Sequence, residues 1–185
     1  MAQTASAMLA LGTPAPAFTL KDVRDGREHS TASLLGPKGL LIMFICTHCP
    51  FVRHVEKELG KLGVDFRDSG IGIAAISSND AENYPDDAPS GLAQQALANG
   101  FNFPYLYDET QEVARAYDAT CTPDFFLFDA AGKLVYRGQL DSSRPGNDVP
   151  VTGRDLRAAI KALLAGEPIS QDQRPSIGCN IKWKR

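Results

Sequence analysis

Apolar positions along this chain fall into two kinds of pattern. Leu40-Leu41-Ile42-Met43-Phe44-Ile45 is a continuous apolar run, and Ile71 to Ile76 is a second one. Runs of this kind predict strands buried on both faces. Between them, Phe51, Val55, Leu59, Leu62 and Phe66 recur at spacings of three and four, which predicts an amphipathic helix. Pro50 suits the first turn of that helix, where a missing N–H costs nothing.

The remaining pattern is shorter in period. Phe18-Thr19-Leu20 reads as a first strand, followed by a turn at Asp25-Gly26. Asn79 to Ser90 is polar and holds two prolines, so it reads as a loop. Leu92 to Asn99 is helical in pattern and stops at Gly100. Tyr105 to Tyr107 is a short strand, and Gln111 to Tyr117 a short helix. Phe125 to Phe128 and Leu134 to Arg137 flank a Gly-containing turn and predict a hairpin. Thr152 is the expected cap of a last helix with the face Leu156, Ile160, Leu163 and Leu164, ending at Gly166. The predicted order β-β-α-β-α-β-α-β-β-α implies an α/β fold, a mixed central sheet flanked by helices. Residues 1–16 are rich in Ala, Thr and Pro and read as a flexible segment. Residues 17–166 form the expected domain, and 167–185 a tail docked on it.

Composition changes this picture little. The net charge of −3 gives no electrostatic case for nucleic acid or an anionic membrane. The basic cluster Lys182-Trp183-Lys184-Arg185 reads as a solvated end. No stretch approaches the roughly 20 apolar residues that span a bilayer. Met1-Ala2-Gln3-Thr4 has no positive charge, and Met8 to Leu11 is too short for the core of a leader, so a cytoplasmic chain is expected. Four cysteines are too few for a disulfide scaffold and point instead to catalysis or metal binding.

Two of those cysteines carry the chemistry. Cys46-Thr47-His48-Cys49 lies between the first apolar run and Pro50. A C-x-x-C between a strand and a helix, in a chain alternating strands and helices, reads as a redox pair. The helix N-terminus supplies unpaired N–H groups and partial positive charge, which stabilise the nucleophilic thiolate. One thiolate attacks a disulfide, and its neighbour resolves the mixed disulfide by closing a local ring. His48, when protonated, would tune the thiolate; an exposed loop histidine is the plain alternative.

Four pieces together resemble a known family. They are Gly12-Thr13-Pro14-Ala15-Pro16-Ala17-Phe18, Cys46-Thr47-His48-Cys49-Pro50-Phe51-Val52, Cys121-Thr122-Pro123-Asp124-Phe125-Phe126-Leu127-Phe128-Asp129 and the tail Pro175-Ser176-Ile177-Gly178-Cys179-Asn180-Ile181-Lys182-Trp183. On these the chain resembles the thioredoxin superfamily, and more narrowly the peroxiredoxin-like proteins of the alkyl hydroperoxide reductase and thiol-specific antioxidant (redoxin) group. The resemblance implies a thioredoxin-like fold with an N-terminal β extension and no cofactor. It implies a cis peptide bond before Pro123, with Thr122 and Pro123 shaping a substrate groove and Cys121 beside the C-x-x-C. The implied partners are a protein or small-molecule disulfide, or a peroxide, together with a thiol reductant.

The chain also departs from these relatives. Cys46 stands where peroxiredoxins have Thr or Ser before a peroxidatic cysteine at the position of Cys49. The Cys121 to Phe128 segment holds no arginine. The buried acid of thioredoxins has no local match, because no Asp or Glu occurs between His29 and Val55. Proton transfer would then use His48, His54 or water, and Arg53 is a candidate source of positive charge.

The expected function is thiol–disulfide exchange, with Cys46 attacking and Cys49 resolving. A thiol peroxidase with Cys49 peroxidatic is the alternative. Cys121 and Cys179 are candidate additional redox thiols; each has a packed, structural reading as well. Cys46, His48, Cys49 and Cys121 offer donor types for zinc, but a second C-x-x-C or a spaced His pair is lacking, so no metal is expected. A binding module that pairs extended peptides along the cis-Pro loop is a third reading. The polar loop with Asp141, Arg144, Asn147 and Asp148 reads as a substrate lip or a solvated connection.

Overall fold

The apolar run Gly39–Phe44 forms β4, the strand at the heart of the sheet, and all six of its residues are buried. The computed structural model describes residues 3–185. β4 pairs in parallel with β5 (Ile71–Ser77), and β5 in parallel with β6 (Tyr105–Tyr107). On its other edge β4 runs antiparallel to β8 (Asp124–Asp129), which makes a hairpin with β9 (Leu134–Gly138). β2 (Thr19–Asp22) and β3 (Glu28–Ser30) complete the order β3-β2-β6-β5-β4-β8-β9. This is the expected mixed α/β sheet in the thioredoxin-like arrangement.

Alternation along β4 divides the core into two layers. Leu41 and Met43 face one way, onto α2 (Pro50–Phe66), α3 (Pro89–Ala98) and α5 (Arg154–Ala165), through Leu59, Leu62, Leu92, Leu156 and Ile160. Leu40, Ile42 and Phe44 face the other way, onto Leu34 of α1 (Thr31–Leu34) and Val113 and Ala114 of α4 (Glu112–Ala116). Each fully buried Leu contributes roughly 1.5–3 kcal/mol. The cysteine pair belongs to the first layer.

Three local expectations change. Gln3–Ala5 of the segment expected to be flexible is a strand, β1, while Met1 and Ala2 lie outside the described residues. Its order comes from backbone pairing to β10 (Ile177–Asn180), so no apolar pattern announces it. α5 is capped by Gly153 in a left-handed conformation rather than by the side chain of Thr152. The Asp141 carboxylate takes the N–H groups of Thr152 and Gly153 at 2.8 and 2.7 Å, so this part of the polar loop anchors a helix start. The 79–90 segment contains a 3-10 turn, Pro85–Asp87, and its last two residues open α3.

The tail is fixed by a second, three-stranded sheet in the order β1-β10-β7, where β7 is Cys121–Thr122. Ile181 is buried, and the Arg115 guanidinium lies over the Trp183 ring. Among the described residues no helix is long and apolar enough to cross a membrane.

Candidate thiol active site

β4 delivers Cys46 to the loop that follows it, and Pro50 starts α2, so Cys49 is the capping residue of that helix. Both sulfurs are closed to solvent, each residue being 0% exposed. The hydrogen bond from the Cys46 thiol does most to lower the Cys49 thiol. A second bond from Cys179, at 2.8 Å between sulfurs, and the N–H groups of Val52 and Cys179 add to it and overcome burial. Together they hold the Cys49 thiol down to about 5. Cys46 moves the other way. Burial, its bond to Cys49 and the charge of Asp87 push it well above the ordinary thiol range. Of the two thiols Cys49 is the one held lower, while the attacking residue expected from the sequence is Cys46.

The Thr122-Pro123 bond is cis, and Thr122 reaches both sulfurs. Its Oγ1 lies 3.3 Å from Cys46 Sγ, and its carbonyl accepts from protonated Cys49 at 3.4 Å. Cys121 does not lie against the pair as expected. Neighbouring strand residues point to opposite faces, so Cys121 makes no sulfur contact and its thiol sits 3.9 Å from the Pro123 carbonyl. Burial pushes its thiol up.

An acid does serve the site, from a distant stretch. Asp87, at the end of the 3-10 turn, is fully buried. It accepts from Thr47 N and Oγ1, both at 2.7 Å, from Asn79 Nδ2 at 2.9 Å, and from His48 Nδ1. Burial alone would raise its carboxyl, yet the bonds from His48, Thr47 and Asn79 hold it down to about 2. An ionised carboxylate only accepts, so His48 carries its proton on Nδ1. Its Nε2 is buried without a partner, and its ring stacks on Tyr84.

Three further residues support the loop. Gln95 Nε2 donates to the Cys46 carbonyl and to Glu56, both at 3.0 Å, and the Tyr105 hydroxyl donates to Gln95 at 2.8 Å. None of the three stands out in the sequence, because each sits in an ordinary helix or strand pattern. Arg53 braces the motif itself, its Nε donating to the Thr47 carbonyl at 2.8 Å, whereas His54 pairs with the Ser143 hydroxyl away from the sulfurs. A surface groove along Lys21, Tyr107 and Glu112 has no cysteine in its lining.

Cys46 Sγ, a His48 ring nitrogen and an Asp87 oxygen lie within 4.8 Å of one another, a donor set of the type zinc accepts. Asp87 already takes four donors, so an ion held between His48 Nδ1 and Asp87 would have to replace the hydrogen bond that joins them. Cys49 faces Cys179, and Cys121 faces away, so the fuller ligand set is not assembled.

A strand–C-x-x-C–helix unit facing a cis-proline loop, on this sheet order, defines a thioredoxin-fold thiol oxidoreductase. Residues 11–137 match the AhpC/TSA family, and the chain belongs to that family. The crystal structure of an uncharacterized conserved protein from Geobacillus kaustophilus is 54% identical, with a TM-score of 0.98, covering 100% of this chain and 97% of that one. The thiol-disulfide oxidoreductase ResA of Geobacillus thermodenitrificans is 28% identical over 131 residues, 71% of this chain and 70% of its own. The thiol:disulfide interchange protein DsbE of Allochromatium vinosum is 24% identical over 160 residues, 84% of this chain and 78% of its own.

Proposed function

We propose that this protein carries out thiol–disulfide exchange through Cys46 and Cys49. The observation that carries the reading is the placement of Cys46 and Cys49 between β4 and α2, with Thr122 of the cis Thr122-Pro123 bond against both sulfurs. In the reductive direction, Cys49 attacks one sulfur of a substrate disulfide. A new S–S bond forms, and the other substrate sulfur leaves as thiolate. Cys46 then gives up its proton and attacks Cys49, which releases the second substrate sulfur and leaves a Cys46–Cys49 disulfide. An external thiol reductant restores the dithiol. The His48–Asp87 pair sits beside Cys46 and is placed to manage that proton. Thr122, held by the cis bond to Pro123, lies against both sulfurs.

Equilibration with glutathione buffers tests this, read by thiol alkylation and by insulin reduction. A single two-electron transition that disappears in Cys49→Ser is the expected result. An absence of any dithiol–disulfide transition in the wild type would sink the reading.

Peroxide reduction by Cys49 is the second reading. It draws on the same low thiol and on the position that peroxiredoxins use in the resemblance above. Among the described residues no arginine or lysine nitrogen is hydrogen-bonded to Cys46 or Cys49, and the Nε of Arg53 is bonded to the Thr47 carbonyl, so neither sulfur has a cation held against it. Stopped-flow with hydrogen peroxide on Cys46→Ser separates the two. A fast reaction in that variant, together with a wild type that consumes peroxide and does not reduce insulin, selects the peroxidase.

A further inference from the structure

Cys49 has two sulfur neighbours, and only one of them belongs to the C-x-x-C. The other is Cys179, 130 residues away in sequence and 2.8 Å away in space. That separation is less than an ångström longer than the about 2.05 Å of a disulfide bond. The contact is built rather than incidental. β10 is held between β1 and β7, with Cys179 opposite Thr122 in register. Beyond it, Lys182 N donates to Asn79 Oδ1 at 2.8 Å, and Lys184 N donates to Gln111 Oε1 at 2.9 Å. Gly178 is pressed on the Thr122 carbonyl, where an added Cβ would come within 1.8 Å. Cys179 itself is 2% exposed. The tail thus brings a third thiol to the pair with no travel required.

We propose that Cys179 is a third redox thiol, which competes with Cys46 for Cys49 and stores the oxidised state as a Cys49–Cys179 disulfide. This rests on the exchange reading above. From a Cys46–Cys49 disulfide, the Cys179 thiolate attacks Cys49 Sγ. The Cys179–Cys49 bond forms and the Cys49–Cys46 bond breaks. The electron pair leaves on Cys46, which takes the proton that Cys179 released. One disulfide is exchanged for another, so no oxidant or reductant is consumed. Cys179 Sγ lies 2.8 Å from Cys49 Sγ and Cys46 shares the C-x-x-C loop with it, which leaves either of them able to close the ring. The long-range product ties β10, and with it the edge strand β1, to the start of α2.

The test is non-reducing tryptic mapping of the full chain after oxidation with oxidised dithiothreitol and blocking of free thiols. Cys46 and Cys49 share the peptide 39–53, so their disulfide shows as the unlinked peptide two hydrogens lighter. A Cys49–Cys179 disulfide links 39–53 to 162–182. The linked pair is expected in the wild type, should rise severalfold in Cys46→Ser, and should vanish in Cys179→Ser while the lighter peptide persists. A wild type that yields only the lighter peptide overturns the proposal and leaves the exchange reading standing. A wild type that yields neither product overturns both. Fragmentation of the wild-type linked pair, which places the bond on Cys49 or on Cys46, decides the matter even where a variant folds poorly; a bond to Cys46 overturns the proposal.

Discussion

Nδ1 of His48 donates to the carboxylate of Asp87, a residue 39 positions further along the chain. This bond connects the partly buried middle of the C-x-x-C loop to a buried charge. The same carboxylate takes two bonds from Thr47 and one from Asn79, and Asn79 in turn accepts from the tail at Lys182. The loop, the 3-10 turn and the C-terminus are therefore one hydrogen-bonded unit.

Asp87→Asn breaks that unit. A carboxamide keeps one acceptor oxygen and introduces a donor where donors already converge. The expected loss is about 2–4 kcal/mol at pH 7, measured by urea unfolding. The pH dependence has a definite sign. The folded carboxyl is held at about 2, below its ordinary value of 3.8. Its stabilisation is complete above about pH 5 and is lost as the pH falls through 4 towards 2. The gap between wild type and variant should therefore narrow over that window. A gap that stays constant from pH 7 to 2 would show that Asp87 is not the ionised acceptor.

The thiolate assignment predicts a titration. Absorbance of the reduced protein at 240 nm should rise with a midpoint near 5, and Cys49→Ser should remove that rise. Cys46→Ala and Cys179→Ala each delete one donor to the sulfur, so each should move the midpoint up by on the order of one unit. A rise near 5 that persists in Cys49→Ser would move the thiolate to another cysteine.

The same residues show how much the sequence revealed. The strand–C-x-x-C–Pro50 unit is legible because its chemistry and its context lie within a dozen adjacent positions. Asp87 is not legible: it lies in a polar stretch, Asp86-Asp87, that reads as solvated, and only the turn at Pro85 carries it into the site. The missing local acid is thus replaced by one that no spacing rule points to. Cys121 and Thr122 show a finer limit. The cis-proline loop is expected from the resemblance, but which of two neighbours meets the sulfurs depends on strand orientation. A shift of one residue exchanges the faces. β1 escapes notice because its pairing uses backbone groups alone.

Gly178 is required by close approach and not by its backbone angle. In Gly178→Ala the new methyl would overlap the Thr122 carbonyl, at 1.8 Å from its oxygen. β10 must lift from β7 or β7 must shift, at an expected cost of about 1–3 kcal/mol. Because Cys179 is the next residue, its alkylation by iodoacetamide should accelerate at least about tenfold as local opening becomes easier. Unchanged stability and unchanged Cys179 labelling would show that the strand tolerates the added carbon, and that its seat on Thr122 is looser than the geometry indicates.

Asp124, the residue after the cis-proline, gives the opposite pH signature to Asp87. It is 1% exposed, its Oδ2 has no hydrogen-bond partner, and its Oδ1 accepts from Phe125 N at 3.1 Å. Burial raises its carboxyl to about 8. Between about pH 4 and 8 the folded chain holds a proton that the unfolded chain has released, so wild-type stability should fall as the pH rises through that range. The slope limit is about 1.4 kcal/mol per pH unit for one such proton. Asp124→Asn keeps the shape of the protonated acid and cannot ionise. It should match the wild type near pH 4 and exceed it at pH 8, by on the order of 2 kcal/mol once the site relaxes around the charge. Urea unfolding at pH 4, 6 and 8 reads the effect directly. A variant that is less stable than the wild type by the same amount at all three values would mean that Asp124 is ionised and partnered in the folded protein, and that the protonated carboxyl beside the cis-proline loop does not exist.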